Sequence, residues 1–307
     1  MVSDAMEWKR GGDTMGSKLQ MILTMSLFGT VSLFVKHIPL SSAEISLYRG
    51  LIALLVLMGC LLLRHSLGRF STVKGCWRLL LLSGVALAFD WIFFLEAFHY
   101  ASVAVATLCY YFAPVMVVAG SAFFFREKLT AKQFLCFVGA TAGVVLIIGV
   151  SGGHGVAGIR GILCSLTAAF FYAVVVLLNK AAPQTDGVAR TVVQLAGAVL
   201  VLFAYVGLTG GYHLGSLGAF AWGNLLTLGA FHTGLLYVIY FSAISRLRGQ
   251  ESAILSYFDP LVAVLVSILI LGESVTGLQL VGGGAILLFT LLNELTLKKP
   301  AGLAERL

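Results

Sequence analysis

The chain has 307 residues, 59% of them hydrophobic and 11% charged, with a mean hydropathy of +0.99. That composition lies far outside the range of soluble domains and places the chain in a lipid bilayer. The net charge of +7 invites a nucleic-acid reading, but the basic residues flank apolar runs, where orientation during membrane insertion accounts for them, so no nucleic-acid partner is expected.

Residues 1–18 form a polar, charged tail without the apolar core and small-residue exit of a cleavable signal, so the first apolar run is expected to remain as an anchor. Crossing a hydrocarbon core of about 30 Å takes about 20 apolar residues per helix. The apolar runs predict ten spans, at 19–38, 43–63, 78–98, 102–125, 132–150, 159–180, 189–208, 221–245, 250–271 and 277–296, with a second tail at 297–307. None of the runs alternates with period two, as the strands of a membrane barrel would. The expected fold class is an all-α membrane protein with ten transmembrane helices.

A Gly-rich link, residues 151–158, separates five spans (19–150) from five more (159–296). The two groups share a pattern. Tyr111-Phe112-Ala113-Pro114 is followed by Glu127, and Tyr257-Phe258-Asp259-Pro260 by Glu273 at the same spacing. With a constant offset of 146, Tyr111, Phe112, Pro114, Val118, Ser121, Glu127, Thr130 and Gln133 all find identical partners. Because five crossings is an odd number, the second copy enters from the opposite side, and the repeats are inverted in the membrane. Inverted repeats place substrate at their interface near mid-depth, where alternating access exposes it to each side in turn.

Basic residues fix the expected orientation. With the N-terminus inside, seventeen of the twenty Lys and Arg residues fall on the inner side, Lys36 and Arg160 on the outer side, and Arg49 within a span. Both termini are therefore expected in the cytoplasm and the protein in the cell membrane. The patch at Arg64, Arg69, Lys74 and Arg78 sets topology and meets anionic lipid. Gly153, Gly155 and Gly158 match a dinucleotide fingerprint in spacing, but no strand precedes them and no phosphate-binding loop occurs elsewhere, so no cofactor is expected. Cys60, Cys76, Cys109, Cys136 and Cys164 lack metal-site or disulfide spacing and read as packing residues; no metal is expected. Gly139 with Gly143, and Gly282 to Gly284, suit close helix packing.

A charge at the centre of a span costs roughly 2.5–3.5 kcal/mol on insertion scales, so it needs a partner or a task. Asp90, Asp259 and Arg49 are the deep charges. Asp90, with Trp91 beside it and Phe94 one turn on, is the leading substrate or proton contact: a carboxylate neutralises a cationic amine and an aromatic face covers it. An Asp paired only for helix packing is the alternative. Asp259 precedes Pro260, which frees the carbonyl of Ser256, as Pro114 frees that of Tyr110. The two bends bring Tyr110, Tyr111 and Tyr257 to mid-depth as candidate substrate contacts; the alternative is that the prolines only kink the helices for packing and that Asp259 is satisfied by a neighbouring hydroxyl. His232 and Tyr237 in span 8 complete the set, with His232, Asp90 and Asp259 as proton-coupling candidates; a hydrogen-bonded packing histidine is the equal alternative for His232. Arg49 is expected in a structural ion pair with Glu44 or Glu96, with a substrate role as the alternative. Lys180 is expected to snorkel to the interface, with attraction of a substrate carboxylate into an inward-open cavity, alongside Asp90, as the alternative; Glu127 and Glu273 are expected to serve architecture.

Ala97-Phe98-His99-Tyr100-Ala101-Ser102-Val103-Ala104, Pro114, Glu127-Lys128-Leu129-Thr130 and Gly139 to Gly143, with Ser256 to Pro260 and Leu271-Gly272-Glu273 in the second half, resemble the EamA-type branch of the drug/metabolite transporter superfamily. Phe28-Gly29 stands where that family opens its first span. The resemblance covers residues 19–296 and implies two inverted five-helix repeats around a cavity lined by spans 1, 3, 4, 6, 8 and 9. It also implies transport of small metabolites or drugs, without identifying the cargo.

The sequence is thus read as a secondary transporter for a small polar organic metabolite, an amino acid or amine by preference, moved outward against protons. A uniporter fits the sequence equally well. The first rival is a drug or lipid-linked-sugar translocator of the same fold. The second is an intramembrane enzyme, against which stands the lack of any nucleophile–base or metal-binding His arrangement. An ion channel lacks a recognisable filter. Substrate, membrane lipid and protons are the expected partners, and the sequence leaves the oligomeric state open.

Overall fold

The structure is a computed structural model that describes residues 2–127, 129–151, 155–182, 185–244, 246–247 and 249–296. Lys128, Arg248, the centre of the Gly-rich link (152–154) and the tail 297–307 with Lys298, Lys299 and Arg306 lie outside the described residues. Among the described residues, nine helices are long and apolar enough to cross a membrane, and a shorter apolar helix, Ile254–Ile270, stands at the ninth position. The protein is an all-helical membrane protein of ten spans in two inverted five-helix repeats.

Span 1 comprises Val2–Phe28 and, after a break at Gly29-Thr30, Val31–Val35. Its backbone is helical from Val2, so the expected polar tail continues the helix; the apolar stretch begins at Met15. Spans 2 and 3 are Ser42–Leu63 and Trp77–Tyr100. Span 4 is two helices, Val103–Tyr110 and Ala113–Phe124, and spans 5, 6 and 7 are Ala131–Ser151, Gly155–Ala181 and Gly187–Thr209. Span 8 passes from Ala219–Leu226 through a π-helical stretch, Thr227–Leu235, into Leu236–Ile244. Span 9 is Gly249–Ser256, Phe258–Leu265 and a π-helical end, Val266–Ile270; span 10 is Gly277–Thr296. We call the membrane face where span 1 begins the near face and the other the far face.

The prolines do more than bend their spans. Pro114 lies in the first turn of the second helix of span 4, and Pro260 is the third residue of the helix that opens at Phe258, positions where a missing N–H goes unmissed. Each span is therefore cut at the preceding tyrosine. The π stretch of span 8 was not legible as such. It places Gly229 against Ile52 and Gly234 against Val56, at distances where added methyl groups would collide with span 2. Its altered register is satisfied in part by Thr233, whose hydroxyl donates to the Leu228 carbonyl at 2.9 Å.

The duplicated residues outside the breaks have local jobs as well. Thr130 and Gln133 exchange backbone and side-chain hydrogen bonds of 2.9 and 3.2 Å at the start of span 5, and Thr276 and Gln279 repeat the same distances at span 10. Each pair closes a capping box at its helix start. Spans 5 and 10 then cross at glycines: a Cβ on Gly143 would stand 2.6 Å from the Gly282 carbonyl oxygen, and one on Gly282 2.8 Å from that of Gly143. Small residues let the two backbones touch where lipid supplies no hydrophobic drive.

Candidate functional site

The two broken spans meet at mid-depth. Because the break places Tyr110 and Tyr111 side by side at a helix end, their hydroxyls diverge to two different carboxylates. Tyr110 reaches Asp90 Oδ2 of span 3 at 3.5 Å, a long contact, and Tyr111 donates to Asp259 Oδ2 of span 9 at 3.1 Å. Tyr111 also lies 3.3 Å from the carbonyl of Ser256, the last residue of the helix that ends at the break of span 9. One residue of the first repeat thus satisfies the broken backbone of the second.

Aromatic rings extend this junction. Phe94 packs on Tyr110 at 4.5 Å between centroids, Tyr172 of span 6 stands 5.7 Å from Tyr110, and Tyr257 stands 5.9 Å from Tyr111. Tyr237 and Tyr240 of span 8 flank Phe28 of span 1 at 5.7 and 6.5 Å. Arg49, Asp90 and Asp259 are the charged groups that act electrostatically on Tyr237. Gly29 closes the span 1 side; a Cβ there would stand 2.6 Å from the Asp259 carbonyl oxygen and 2.9 Å from the Ala263 nitrogen.

Two members were missed in the sequence. Tyr172 keeps 38% of its surface exposed although its ring faces Tyr110 and it is within electrostatic reach of Asp90, Tyr237, Tyr240 and Glu294, so the surface it leaves open lies in the middle of the bundle. Glu294 of span 10 is within reach of Tyr172, Tyr240 and Tyr257, and its Oε2 is buried without a hydrogen-bond partner, as is the Tyr257 hydroxyl. The signal for Glu294 was present: an acid inside the last apolar run. Asp90 is 2% exposed and its Oδ1 has no partner, so a ligand meets it only after neighbouring side chains move. A separate crevice of about 170 Å³, lined by Val115, Val118, Phe134, Phe137 and Asn293 among others, lies between spans 4, 5 and 10 and touches neither Asp90 nor Asp259.

Two expectations are corrected. Arg49 pairs with neither Glu44 nor Glu96: Glu44 belongs to the capping box of span 2 with Ser41 and accepts from the His213 backbone at 2.8 Å, while Glu96 accepts from Ser42 at 2.7 Å. Arg49 instead lies 3.9 Å above the Trp91 ring, and so Trp91, 5% exposed, is already covered by a protein cation. His232 forms no ion pair with a described carboxylate; its Nε2 is 3.1 Å from the Thr30 hydroxyl and its ring packs tilted against Phe34, 4.7 Å between centroids, which ties span 8 to span 1. The π stretch turns it toward the far half of span 1.

Polar contacts close the bundle at both faces. On the far face Lys36 of span 1 pairs with Glu273 beyond span 9; that carboxylate also accepts from the Val103 backbone at 2.7 Å and the Ser267 hydroxyl at 2.5 Å. On the near face Lys180 of span 6 lies 2.7 and 2.8 Å from the two carboxylate oxygens of Glu127 and donates to Ser121 at 3.2 Å. Lys180 therefore has a partner across the repeats.

The sequence profile of the EamA-like transporter family matches twice, at residues 17–149 and again at 159–294, one match for each repeat. The chain belongs to the EamA-like transporter family. It is 29% identical over 262 residues to the uncharacterized transporter YxxF of Bacillus subtilis, covering 83% of this chain and 81% of that one. An uncharacterized transporter of Archaeoglobus fulgidus is 28% identical over 273 residues, 87% of this chain and 92% of that one. Solute carrier family 35 member G1 of Mus musculus is 33% identical over 128 residues, 41% of this chain and 34% of its own length. A crystal structure matches with a TM-score of 0.62 at 20% identity, covering 95% of this chain and 99% of that chain, a likeness of fold alone. The protein is a membrane transporter and not an enzyme.

Proposed function

We propose that this transporter carries a small polar organic metabolite bearing an amine, an amino acid or an amine itself, by alternating access between its two repeats. The observation that carries the reading is the junction at the break of span 4, where adjacent tyrosines hold one carboxylate from each repeat, Asp90 and Asp259. Carboxylates among aromatic rings recognise an organic cation by charge and by ring face. Asp90, Asp259, Tyr110, Tyr111, Tyr237 and Tyr257 are the proposed contacts, with Phe94 supporting Tyr110. The two carboxylates, rather than His232, are the proposed proton-exchanging groups, and outward movement against protons is the proposed direction.

The ion pairs support alternating access. Glu127 and Glu273 are repeat-related at 146 residues, and Lys36 and Lys180 close the first helices of the two repeats. Each pair joins the first span of one repeat to the fourth of the other, at opposite faces, so opening one face requires breaking one pair while the other holds. The basic residues around the near-face loops support the cytoplasm as that side, with both termini there, in the cell membrane.

Flux into proteoliposomes across a panel of labelled amino acids, amines and nucleosides, with and without a pH gradient, tests the reading. The expected result is flux of an amine-bearing compound that Asp90→Asn abolishes while the variant stays folded and monodisperse in detergent. Flux that Asp90→Asn leaves intact removes Asp90 from the mechanism, and no flux of any amine-bearing compound removes the substrate class.

A further inference from the structure

We propose that the crevice between spans 4, 5 and 10 holds an acyl chain of an anionic phospholipid from the near-face leaflet, with the lipid phosphate on Arg126 and Lys132. This site lies outside the junction of the two repeats and is independent of what the protein carries.

The crevice runs inward from the headgroup level. Its mouth is formed by Leu129 and Gln133, where spans 4 and 5 join, and its inner end by Val115 and Asn293. That end lies about one helical turn short of the span 4 break, since Thr290, one turn before Asn293, donates to the Tyr111 carbonyl at 3.3 Å. Phe134 and Phe137, 61% and 40% exposed in a segment apolar enough to cross the bilayer, make the wall that lipid reaches, and Phe112 backs Phe137 at 6.4 Å between centroids. No lining residue is charged, and of the two polar ones Gln133 is already bonded to Thr130. Such walls suit a hydrocarbon chain, which fills the gap by close packing, better than a polar solute.

The mouth carries the charge that a phosphate matches. Arg126 and Lys132 are exposed beside it in the chain, and among the described residues neither side chain has an ion pair or a hydrogen bond. The second repeat lacks this arrangement: at the offset of 146, Arg126, Lys132, Phe134 and Phe137 correspond to Gly272, Leu278, Leu280 and Gly283. Arg126 and Gly272 both have left-handed backbone, with φ of 54° and 64°. Glycine meets that demand without steric cost, whereas the first repeat keeps an arginine there against its backbone preference. Membrane orientation asks only for basic residues somewhere in the loop, and requires neither an arginine at the strained position nor an apolar gap with aromatic walls beneath it. A basic rim over a gap between spans is the chemistry that takes anionic headgroups, and the guanidinium fork fits phosphate oxygens.

The test uses the full-length protein in phosphatidylcholine nanodiscs carrying a trace of phosphatidylglycerol with a diazirine in one acyl chain, or of phosphatidylcholine with the same chain, and maps the photolabelled residues by mass spectrometry. Val115 and Val118 are expected to be labelled at least about tenfold more by the phosphatidylglycerol probe, as two basic side chains near a membrane surface allow. Arg126→Gln combined with Lys132→Gln, both at exposed positions, is expected to bring that preference within about threefold. Ala119→Leu, which puts a larger side chain into the crevice, is expected to remove the preferential label while elution on size exclusion stays unchanged. Arg64→Gln combined with Lys74→Gln, in the loop between spans 2 and 3, is expected to leave it intact. Equal labelling by the two probes, a preference that survives the Arg126 and Lys132 substitutions, or an equal loss in the Arg64 and Lys74 variant overturns the inference. Suppression of the label by glycerol 3-phosphate, the headgroup anion without chains, would assign the basic rim to a soluble anion and overturn it as well.

Discussion

Replacing Glu273 by Gln should loosen the far face far more than the repeat-related Glu127→Gln loosens the near face. Glu273 holds three donors, the Lys36 ammonium, the Val103 backbone N–H and the Ser267 hydroxyl, and its side chain is 15% exposed. The amide keeps the shape but loses the charge. Hydrogen bonds to charged groups contribute about 1.5–3 kcal/mol against about 0.5–1.5 for neutral ones, so weakening two such bonds and the ion pair removes about 2 kcal/mol. Glu127 is 52% exposed and Lys180 40%, which limits that pair to about 0.2–1 kcal/mol. At 1.4 kcal/mol per tenfold, the far-face equilibrium shifts by about thirtyfold and the near-face one by no more than about fivefold. Spin labels at the exposed positions His37 and Ser274, on span 1 and the span 9–10 turn, report the opening by pulsed dipolar spectroscopy in nanodiscs. Glu273→Gln should add a longer distance that wild type lacks. A distance distribution identical to wild type would refute the assignment of this ion pair as a closure of the far face.

Tyr111→Phe removes the donor to Asp259 and to the Ser256 carbonyl; at about 0.5–1.5 kcal/mol for a typical hydrogen bond, a lower thermal midpoint in detergent together with reduced flux is expected, and an unchanged midpoint would show that the break of span 9 is satisfied elsewhere. Gly29→Ala forces a methyl group onto the Asp259 carbonyl oxygen at 2.6 Å, an overpacking cost of about 1–3 kcal/mol. Its flux should fall more than its folded yield, and wild-type flux would mean that spans 1 and 9 separate there without consequence.

Much of the architecture was legible because a bilayer leaves little choice. Apolar runs of span length must be helices, and five crossings must invert a repeat. Even the duplicated identities carried more than ancestry: Thr130 and Gln133 recur because a helix start needs a cap, and Ser121 and Glu127 recur because a face needs closing. Asp90 and Asp259 stood out because a charge at mid-span is costly, and they do share one junction.

What the sequence determined by itself is the list of costly groups and their depth, since hydrophobic length and charge are properties of each segment. Which groups face each other was decided only by tertiary structure, because a few degrees of helix rotation change a side chain's neighbour. The π stretch turns His232 to Thr30, the Trp91 ring takes up Arg49, and Glu44 goes to a helix cap. Those choices depend on glycine contacts and helix breaks that bring distant segments together, and no single segment encodes its partner's rotation.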